Sequence, residues 1–188
     1  DIKAVYDTAM AAGVKFFDTA EVYAQGKSEL MLGKFLRETG QKVIAATKFM
    51  PFPWRLSHHS LRRALKGSLK RLGLNQVDLY QIHQPLPPIK VESWMEALVE
   101  VMQLGWVKAV GVSNYDLNLT RRSQDALAKE GVSLCSNQME YSLLDRSVEK
   151  NGLLAHCQAT DVALIAYSPL AQGVLTGKYT PQTPPKGF

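Results

Sequence analysis

The sequence lacks the features that mark secreted and membrane proteins. Its 188 residues include only two cysteines, Cys135 and Cys157, too few for the disulfide framework of a small secreted domain. We expect both to be packed, reduced thiols. No apolar run approaches the roughly 18–20 residues that a membrane-spanning helix needs, and the N-terminal pattern DIKAVYDTAMAAG is typical of an amphipathic helix, not of a signal peptide. The sequence therefore predicts a cytoplasmic protein with no membrane partner.

Phosphate-binding loops are also absent, and so is any nucleic-acid motif. Neither G-x-G-x-x-G nor G-x-x-x-x-G-K-[ST] occurs in the chain. The formal net charge is +5, and much of it lies on one amphipathic helical pattern: Arg62, Arg63, Lys66, Lys70 and Arg71. We interpret these residues as the solvent-facing side of a helix, because no interleaved aromatic residues indicate a nucleic-acid partner. We predict no metal site.

Six short apolar runs recur along the chain, and segments with helical periodicity separate them. The runs are VKFFD, VIAATK, VDLYQIH, VKAVGVSN, VSLCSNQ and VALIAY. Helices are predicted over 2–12, 28–39, 57–72, 91–105, 118–130 and 146–160. We expect strands that are apolar on both faces, as buried parallel strands are. Strand–helix–strand repetition predicts right-handed crossovers and a parallel sheet, which is an α/β fold.

Two architectures fit this alternation, an open doubly wound sheet and a closed TIM barrel. We favour the barrel, because a polar residue follows every strand and no glycine-rich loop follows the first one. A closed (β/α)8 barrel has eight strands, typically in about 250 residues. The six runs therefore predict an incomplete barrel with strands 2–7 of eight. We expect residues 1–188 to be a single barrel domain truncated at both ends, with a mobile loop over 181–188.

The apolar runs end on residues that carry useful chemistry. These are Asp18, Lys48, His83, Asn114, Gln138 and Tyr167. Tyr23 follows the first of them by five residues. Because adjacent parallel strands lie about 5 Å apart, the ends of the first three strands should bring Asp18, Tyr23, Lys48 and His83 together at the rim where such barrels build their sites.

These four side chains form a sensible set for proton delivery. An ammonium beside a tyrosine stabilises the tyrosinate and lowers its pKa from about 10. The carboxylate of Asp18 would hold Lys48, and the imidazole of His83 would orient a carbonyl oxygen. Tyr23 would then act as a general acid that protonates a carbonyl as hydride arrives. Ordinary structural roles remain open for each residue alone; Asp18, for example, could form a capping box with Glu21.

The later strand ends suit a flat polar ligand. Ser113, Asn114 and Gln138 present hydroxyl and amide groups that can pair with a carboxamide, and Tyr167 offers an aromatic face for stacking. Two alternatives stay open here. Ser113 and Asn114 could cap the helix that follows, and Tyr167 could be a core residue.

Six motifs along the chain resemble those of a known protein family. FDTAEVY, ATK, DLYQIHQP, VGVSNY, SNQMEYS and LIAYSPLAQGVLTGKY, in this order and spacing, resemble the aldo-keto reductase family throughout residues 1–188. Three segments, FPWRLS, NQMEYSLLDR and AYSPLAQGVLTGKYTP, look closest to the plant and cyanobacterial members, relatives of the potassium-channel beta subunits. A plastid is therefore the alternative compartment. The resemblance implies a (β/α)8 barrel that reduces aldehydes and ketones with NADPH, using a catalytic tetrad of Asp18, Tyr23, Lys48 and His83.

The resemblance also implies roles for residues that hold the cofactor. Ser113, Asn114 and Gln138 would hold the nicotinamide carboxamide, and Tyr167 would stack on the ring. The loop after the seventh barrel strand would contact the pyrophosphate through Ser168, Leu170, Gln172 and Gly173. Trp54 would line the substrate pocket, with a packing role left open. The residues that grip the adenosine 2′-phosphate would lie beyond residue 188, so NADPH over NADH rests on the resemblance alone.

One departure from the family pattern affects substrate preference. Gln84 follows His83 where many members have a tryptophan. Two rival interpretations of function also remain: a cofactor-binding regulatory subunit that docks to a partner, and an inactive fragment of a reductase. The sequence specifies neither the carbonyl substrate nor the oligomeric state.

Overall fold

A parallel sheet of six strands forms the centre of the molecule. The computed structural model describes residues 1–180 and 182–184. The strands are β1 Phe16–Asp18, β2 Ile44–Phe49, β3 Val77–Ile82, β4 Val107–Ser113, β5 Leu134–Glu140 and β6 Ala163–Tyr167. Their order in the sheet is β1-β2-β3-β4-β5-β6, and every neighbouring pair is parallel. The sheet curls into a half-barrel with helices between the strands, which confirms the predicted incomplete (β/α)8 barrel.

The helices follow the predicted alternation. They are α1 Ile2–Ala11, α2 Lys27–Thr39, α3 His58–Leu72, α4 Val91–Gln103, α5 Leu117–Ala128, α6 Ser147–Lys150 and α7 Leu153–Ala159. Two further segments, Tyr23–Gly26 and Ala171–Thr176, are 3₁₀-helical turns. Within 1–180 and 182–184, no helix is long and apolar enough to cross a membrane. Of the loop predicted over 181–188, positions 181 and 185–188 lie outside the described residues.

The prediction of a single helix over 146–160 was wrong. Two short helices, α6 and α7, occupy this region instead. Gly152 has φ +82°, a left-handed conformation that breaks the helix. The side chain of Asn151 then accepts a hydrogen bond from the backbone N–H of Leu153, the first residue of α7, at 3.0 Å. The hydrogen bond from the backbone to the Asn151 side chain and the left-handed Gly152 therefore interrupt the helix, although the apolar periodicity continues.

The core lies between the sheet and its covering helices. One side of α3 contributes Leu61, Leu65, Leu69 and Leu72. Arg63, Lys66 and Lys70 are exposed as predicted. The solvent-facing prediction was wrong for Arg71, which is half-buried and bonds the buried Glu29 of α2. In the next layer the ring of Trp94 on α4 packs edge-on against Phe49 of β2, with centroids 5.1 Å apart.

The edges of the sheet differ from its centre. Strands β2 to β4 are mostly buried, whereas β1 and β6 are partly exposed, so the expectation that all strands are buried on both faces was wrong. Each of these edge strands has one neighbour in the described sheet. Cys157 is buried as expected, but Cys135, near the start of β5, is exposed.

Candidate functional site

The carboxyl ends of β1 and β2 meet at Lys48, the second-last residue of β2. Its side chain is fully buried, and its ammonium forms an ion pair with Asp18 at the end of β1. The same nitrogen donates to the backbone carbonyl of Thr19 at 2.9 Å and to the hydroxyl of Tyr23 at 3.3 Å. Lys48 thus joins the carboxylate and the phenol that sequence spacing predicts to be neighbours.

Tyr23 and His83 approach each other above this ion pair. Tyr23 begins the 3₁₀ turn that follows β1, and its ring meets the His83 ring edge-on, with centroids 5.6 Å apart. The backbone N–H of His83 donates to the carbonyl of Phe49 at 2.9 Å, which fixes the end of β3 against the end of β2. The structure therefore brings Asp18, Tyr23, Lys48 and His83 together.

Burial dominates the electrostatics of this cluster. It lowers the pKa of Lys48, although Asp18 opposes the shift. It also lowers the pKa of His83 to about 4, with a further contribution from the Lys48 charge and opposition from Asp18. The imidazole is consequently neutral at pH 7, and its Nδ1 is buried without a hydrogen-bond partner among the described residues.

The expected direction of the Tyr23 pKa was wrong. Proximity to Lys48 suggested a lowered value, but the pKa of Tyr23 is raised above its ordinary 10.0. Burial is the main cause, and the carboxylate of Asp18 adds to it. Tyr23 consequently keeps its proton throughout the neutral range, as a proton donor must.

Several residues near the Asp18–Tyr23–Lys48–His83 cluster were not predicted as site residues from the sequence. Gln81 Nε2 lies 3.4 Å from Asp18 Oδ1, and its position two residues before His83 on a strand could have revealed it, because such residues share a face. Glu21 accepts from the backbone N–H of Met50 at 2.9 Å and forms an ion pair with Arg55. The two carboxylates are thus engaged by other partners, and the capping box considered for Asp18 and Glu21 does not form.

Neutral hydrogen bonds organise the ends of β4, β5 and β6. Ser113 Oγ donates to the backbone carbonyl of Gln138 at 2.9 Å. The Asn114 amide nitrogen donates to Ser113 Oγ at 3.0 Å and to the carbonyl of His83 at 3.1 Å. The hydroxyl of Tyr167 donates to Asn114 Oδ1 at 2.9 Å. This network connects the later strand ends to the His83 backbone, and Asp116, not Ser113 or Asn114, caps α5.

The side chains of this network fit a planar carboxamide. Both amide hydrogens of Asn114 are used within the protein, but its oxygen accepts a single bond and has a second lone pair. The side-chain amide of Gln138 makes no hydrogen bond with the described residues. An amide that offers both a donor and an acceptor is the natural partner of another amide, so Gln138 is the group best prepared for such a ligand.

The loop after β6 is shaped by its backbone. Ser168, Gln172 and Gly173 have φ of +52°, +53° and +95°, and Leu170 is exposed. The Leu170 carbonyl accepts from the N–H groups of Gly173 and Leu175 at 2.9 and 3.2 Å, which closes a tight turn. No described hydrogen bond links these four predicted pyrophosphate contacts to the cluster around Lys48.

Trp54 lies at the surface. The side chain is 74% exposed and stacks on Phe52, with ring centroids 4.8 Å apart and planes 6° from parallel. It lines a depression of about 340 Å³ together with Glu21 and three arginines, Arg55, Arg63 and Arg71. None of the four clustered residues lines this depression, and the exposure of the indole argues against a role in interior packing.

Comparisons with known proteins identify the family and the fold. A sequence model of the Aldo/keto reductase family matches residues 1–188. A curated relative, the chloroplastic pyridoxal reductase of Arabidopsis thaliana, is 36% identical and aligns with 99% of this chain and 54% of its own length. The chain thus spans about half the length of the curated relatives it matches.

Solved structures give the same result. A thermostable aldo-keto reductase in complex with the inhibitor epalrestat superposes with a TM-score of 0.82 and 35% identity, over 94% of this chain and 63% of that one. An aldo/keto reductase from Klebsiella pneumoniae, solved in complex with NADP and acetate, has a TM-score of 0.79 and 30% identity, over 93% and 60% of the two chains.

Proposed function

The chain belongs to the aldo/keto reductase family, and from that premise we propose that the full-length protein reduces aldehydes or ketones to alcohols with NADPH. One observation carries the proposal: Lys48 contacts both Asp18 and Tyr23, next to His83. When bound, NADPH supplies a hydride to the carbonyl carbon. The similar Klebsiella pneumoniae enzyme was solved with NADP, which supports the choice of cofactor.

Tyr23 is the proton donor in this proposal. Its raised pKa keeps the hydroxyl protonated at neutral pH, and an alkoxide that forms beside it is a stronger base than tyrosinate. The proton therefore moves from the Tyr23 oxygen to the substrate oxygen as charge develops there. The Lys48 ammonium, 3.3 Å from the Tyr23 oxygen, stabilises the tyrosinate that remains.

Asp18 and His83 complete the proton-delivery group. Asp18 holds the Lys48 ammonium next to the phenol and offsets part of the cost of burying it. His83 is neutral at pH 7, so one ring nitrogen donates and the other accepts. It would donate a hydrogen bond to the substrate oxygen and so orient the carbonyl towards Tyr23 without adding another charge.

The ends of β4 to β6 hold the cofactor in this proposal. Gln138 and the oxygen of Asn114 pair with the nicotinamide carboxamide, and Ser113 keeps Asn114 in place. Tyr167 presents its ring to the nicotinamide. Ser168, Leu170, Gln172 and Gly173 would hold the pyrophosphate. The Lys178 ammonium lies near Gly173, 3.2 Å from where a Cβ would be, and would supply a positive charge there.

The decisive experiment is Tyr23→Phe in the full-length protein. We expect kcat for aldehyde reduction to fall about 10²–10⁴-fold, the usual contribution of a positioned general acid, with NADPH affinity within about twofold of wild type. Tyr141→Phe is the matched control, because it removes a tyrosine hydroxyl that bonds Glu149 at 2.6 Å outside the cluster. Near-wild-type turnover by Tyr23→Phe would refute the assignment.

The same assays separate the reductase from its main rival. Wild-type protein that binds NADPH but turns over no aldehyde or ketone in a broad panel would favour the cofactor-binding regulatory subunit. Turnover that Tyr23→Phe abolishes would exclude a purely regulatory role.

A further inference from the structure

A buried carboxylate lies behind the strand that carries Lys48. Glu29 of α2 is fully buried. Its Oε1 accepts from the Thr47 hydroxyl at 2.6 Å, and its Oε2 accepts from Arg71 Nε of α3 at 2.6 Å. Because successive strand residues point to opposite faces, Thr47 faces the helices while its neighbour Lys48 faces Asp18. Glu29 therefore fixes the strand at the residue immediately before Lys48.

Arg71 also packs against the turn that carries Tyr23. A Cβ on Gly26, the last residue of that turn, would lie 2.8 Å from Arg71 Cδ and 2.9 Å from Arg71 Nε. Gly26 has φ +85°, so glycine is required here both for its backbone conformation and for the space that Arg71 fills. A Cβ on Gly67 of α3 would lie 3.1 Å from Arg71 Nη1. The guanidinium is thus enclosed between two glycines.

The turn itself needs support from its surroundings. Ala24 and Gln25 have φ of +47° and +57°, conformations that residues other than glycine rarely adopt and that persist where the neighbouring structure holds them. Tyr23 is 40% exposed, and its hydroxyl reaches Lys48 at 3.3 Å. The position of the phenol therefore depends on the turn as well as on its contacts with Lys48 and His83.

We propose that Glu29 and Arg71 are positioning residues for the Tyr23–Lys48 pair. Through Thr47, Glu29 fixes the strand that carries Lys48, and through Gly26, Arg71 fixes the turn that carries Tyr23. Because Arg71 and Glu29 form a hydrogen-bonded ion pair, together they set the distance between the Tyr23 hydroxyl and the Lys48 ammonium. This inference rests on the proposed function, but the geometry it describes is measurable without catalysis.

The test compares Arg71→Lys with Arg122→Lys in the full-length protein. Lysine keeps a positive charge opposite Glu29 but loses the flat guanidinium over Gly26. Arg122→Lys is the matched control, because Arg122 pairs with Glu92 through two bonds of 2.8 and 2.9 Å that do not involve the turn. Displacing a reacting group by about 1 Å can cost up to about 10²-fold in rate. We therefore expect Arg71→Lys to lower kcat about tenfold or more, with KM and NADPH affinity within twofold.

Amide hydrogen exchange gives the readout that does not need turnover. The N–H groups of Tyr23 and Gln25 donate to the carbonyls of Ala20 and Val22 at 3.1 and 3.2 Å. Arg71→Lys should speed the exchange of these two amides at least several-fold, while Arg122→Lys leaves it unchanged. If wild-type protein shows no reductase activity, the proposed function fails, and exchange at these two amides still decides whether Arg71 holds the turn.

Glu29→Gln provides a second variant with the same prediction. It keeps the size of the side chain and an acceptor for Thr47 but removes the charge that holds Arg71. If Arg71→Lys does not fold, Glu29→Gln carries the same kinetic and exchange measurements. Unchanged kcat and unchanged exchange at Tyr23 and Gln25, with only a lower melting temperature, would overturn the proposal and leave the pair as a brace between α2 and α3.

Discussion

The ends of β1–β3 are organised by a charged pair around the buried Lys48, whereas the ends of β4–β6 are organised by neutral side chains. In the first region an ion pair between Lys48 and Asp18 sets the arrangement, and burial shifts the pKa of Tyr23, Lys48 and His83. The second region depends on uncharged hydrogen bonds that join Ser113, Asn114 and Tyr167 to one another and to the backbone.

The rim therefore combines an arrangement held by charge with one held by neutral hydrogen bonds. Charges in a low-dielectric setting act strongly on protonation, so the first region should respond to charge substitution and to pH. Neutral hydrogen bonds give geometry with little dependence on pH or salt, so the second region should respond mainly to loss of a particular donor or acceptor. Four substitutions distinguish the two regions by their effects on activity, cofactor binding and stability.

Lys48→Met should have the largest effect. It removes the ammonium that contacts both Tyr23 and Asp18, and we expect aldehyde reduction to fall about 10²–10³-fold, as when a preorganised electrostatic partner is removed. Steady-state kinetics and NADPH titration of the full-length protein measure this. Lys108→Met, which breaks the exposed pair with Asp78 at 2.7 Å, serves as the control. Loss of cofactor affinity with intact turnover would show that the two regions do not divide the work.

Gln138→Ala should weaken cofactor binding instead. Losing one or two amide hydrogen bonds costs about 1–1.5 kcal/mol, so NADPH affinity should fall roughly tenfold, with kcat at saturating cofactor close to wild type. Fluorescence titration at several pH values checks this, and the loss should be the same at each. Gln76→Ala is the control, since its amide donates to the Gly105 carbonyl away from the rim. Unchanged affinity would remove Gln138 from the carboxamide site.

His83 should make the stability of the charged region depend on pH. The pKa of His83 is about 4 when folded against 6.5 ordinarily, so between these values the unfolded chain binds more protons. The free energy of unfolding should therefore decrease as pH falls from 6.5 to about 4. His83→Gln should remove this part of the dependence, whereas His59→Gln, at an exposed position, should not. Urea unfolding across that range tests it, and identical pH dependence in wild type and His83→Gln would contradict the shift.

Tyr167→Phe should have the smallest effect. It keeps the aromatic face but deletes the hydroxyl that donates to Asn114 Oδ1 at 2.9 Å, so we expect a loss of about 1 kcal/mol in the free energy of unfolding. NADPH affinity should change less than in Gln138→Ala. Unfolding at low and high salt is the measurement, and a strong salt dependence would contradict the neutral character of this region.

The fold was largely predictable because its signals are local and repeated. Each apolar run needs burial on a sheet and each amphipathic segment needs a sheet to cover, so the alternation specifies parallel pairing. The convergence of Asp18, Lys48 and His83 follows from the same rule, since parallel strands end at one edge. The break at Gly152 was missed because one glycine interrupted an otherwise continuous apolar pattern.

The rest of the site depends on the burial of side chains and on contacts between residues distant in sequence, which the sequence alone does not show. The Tyr23 pKa is raised by burial and by the Asp18 carboxylate, and the sequence shows the charged neighbours but not the burial. The hydrogen bond between Glu29 of α2 and Arg71 of α3 joins residues 42 positions apart in the sequence, and no periodicity links them. The extent of the barrel domain, the cytoplasmic compartment and the individual residue roles stay predictions.

Main-chain oxygens at the strand ends anchor the polar side chains of the rim. Lys48 donates to the carbonyl of Thr19, Asn114 to that of His83, and Ser113 to that of Gln138. Each acceptor belongs to the backbone, so replacing the side chain of the accepting residue leaves the anchor intact. These bonds therefore tolerate side-chain changes at the accepting residues, whereas a change at a donating residue removes the bond.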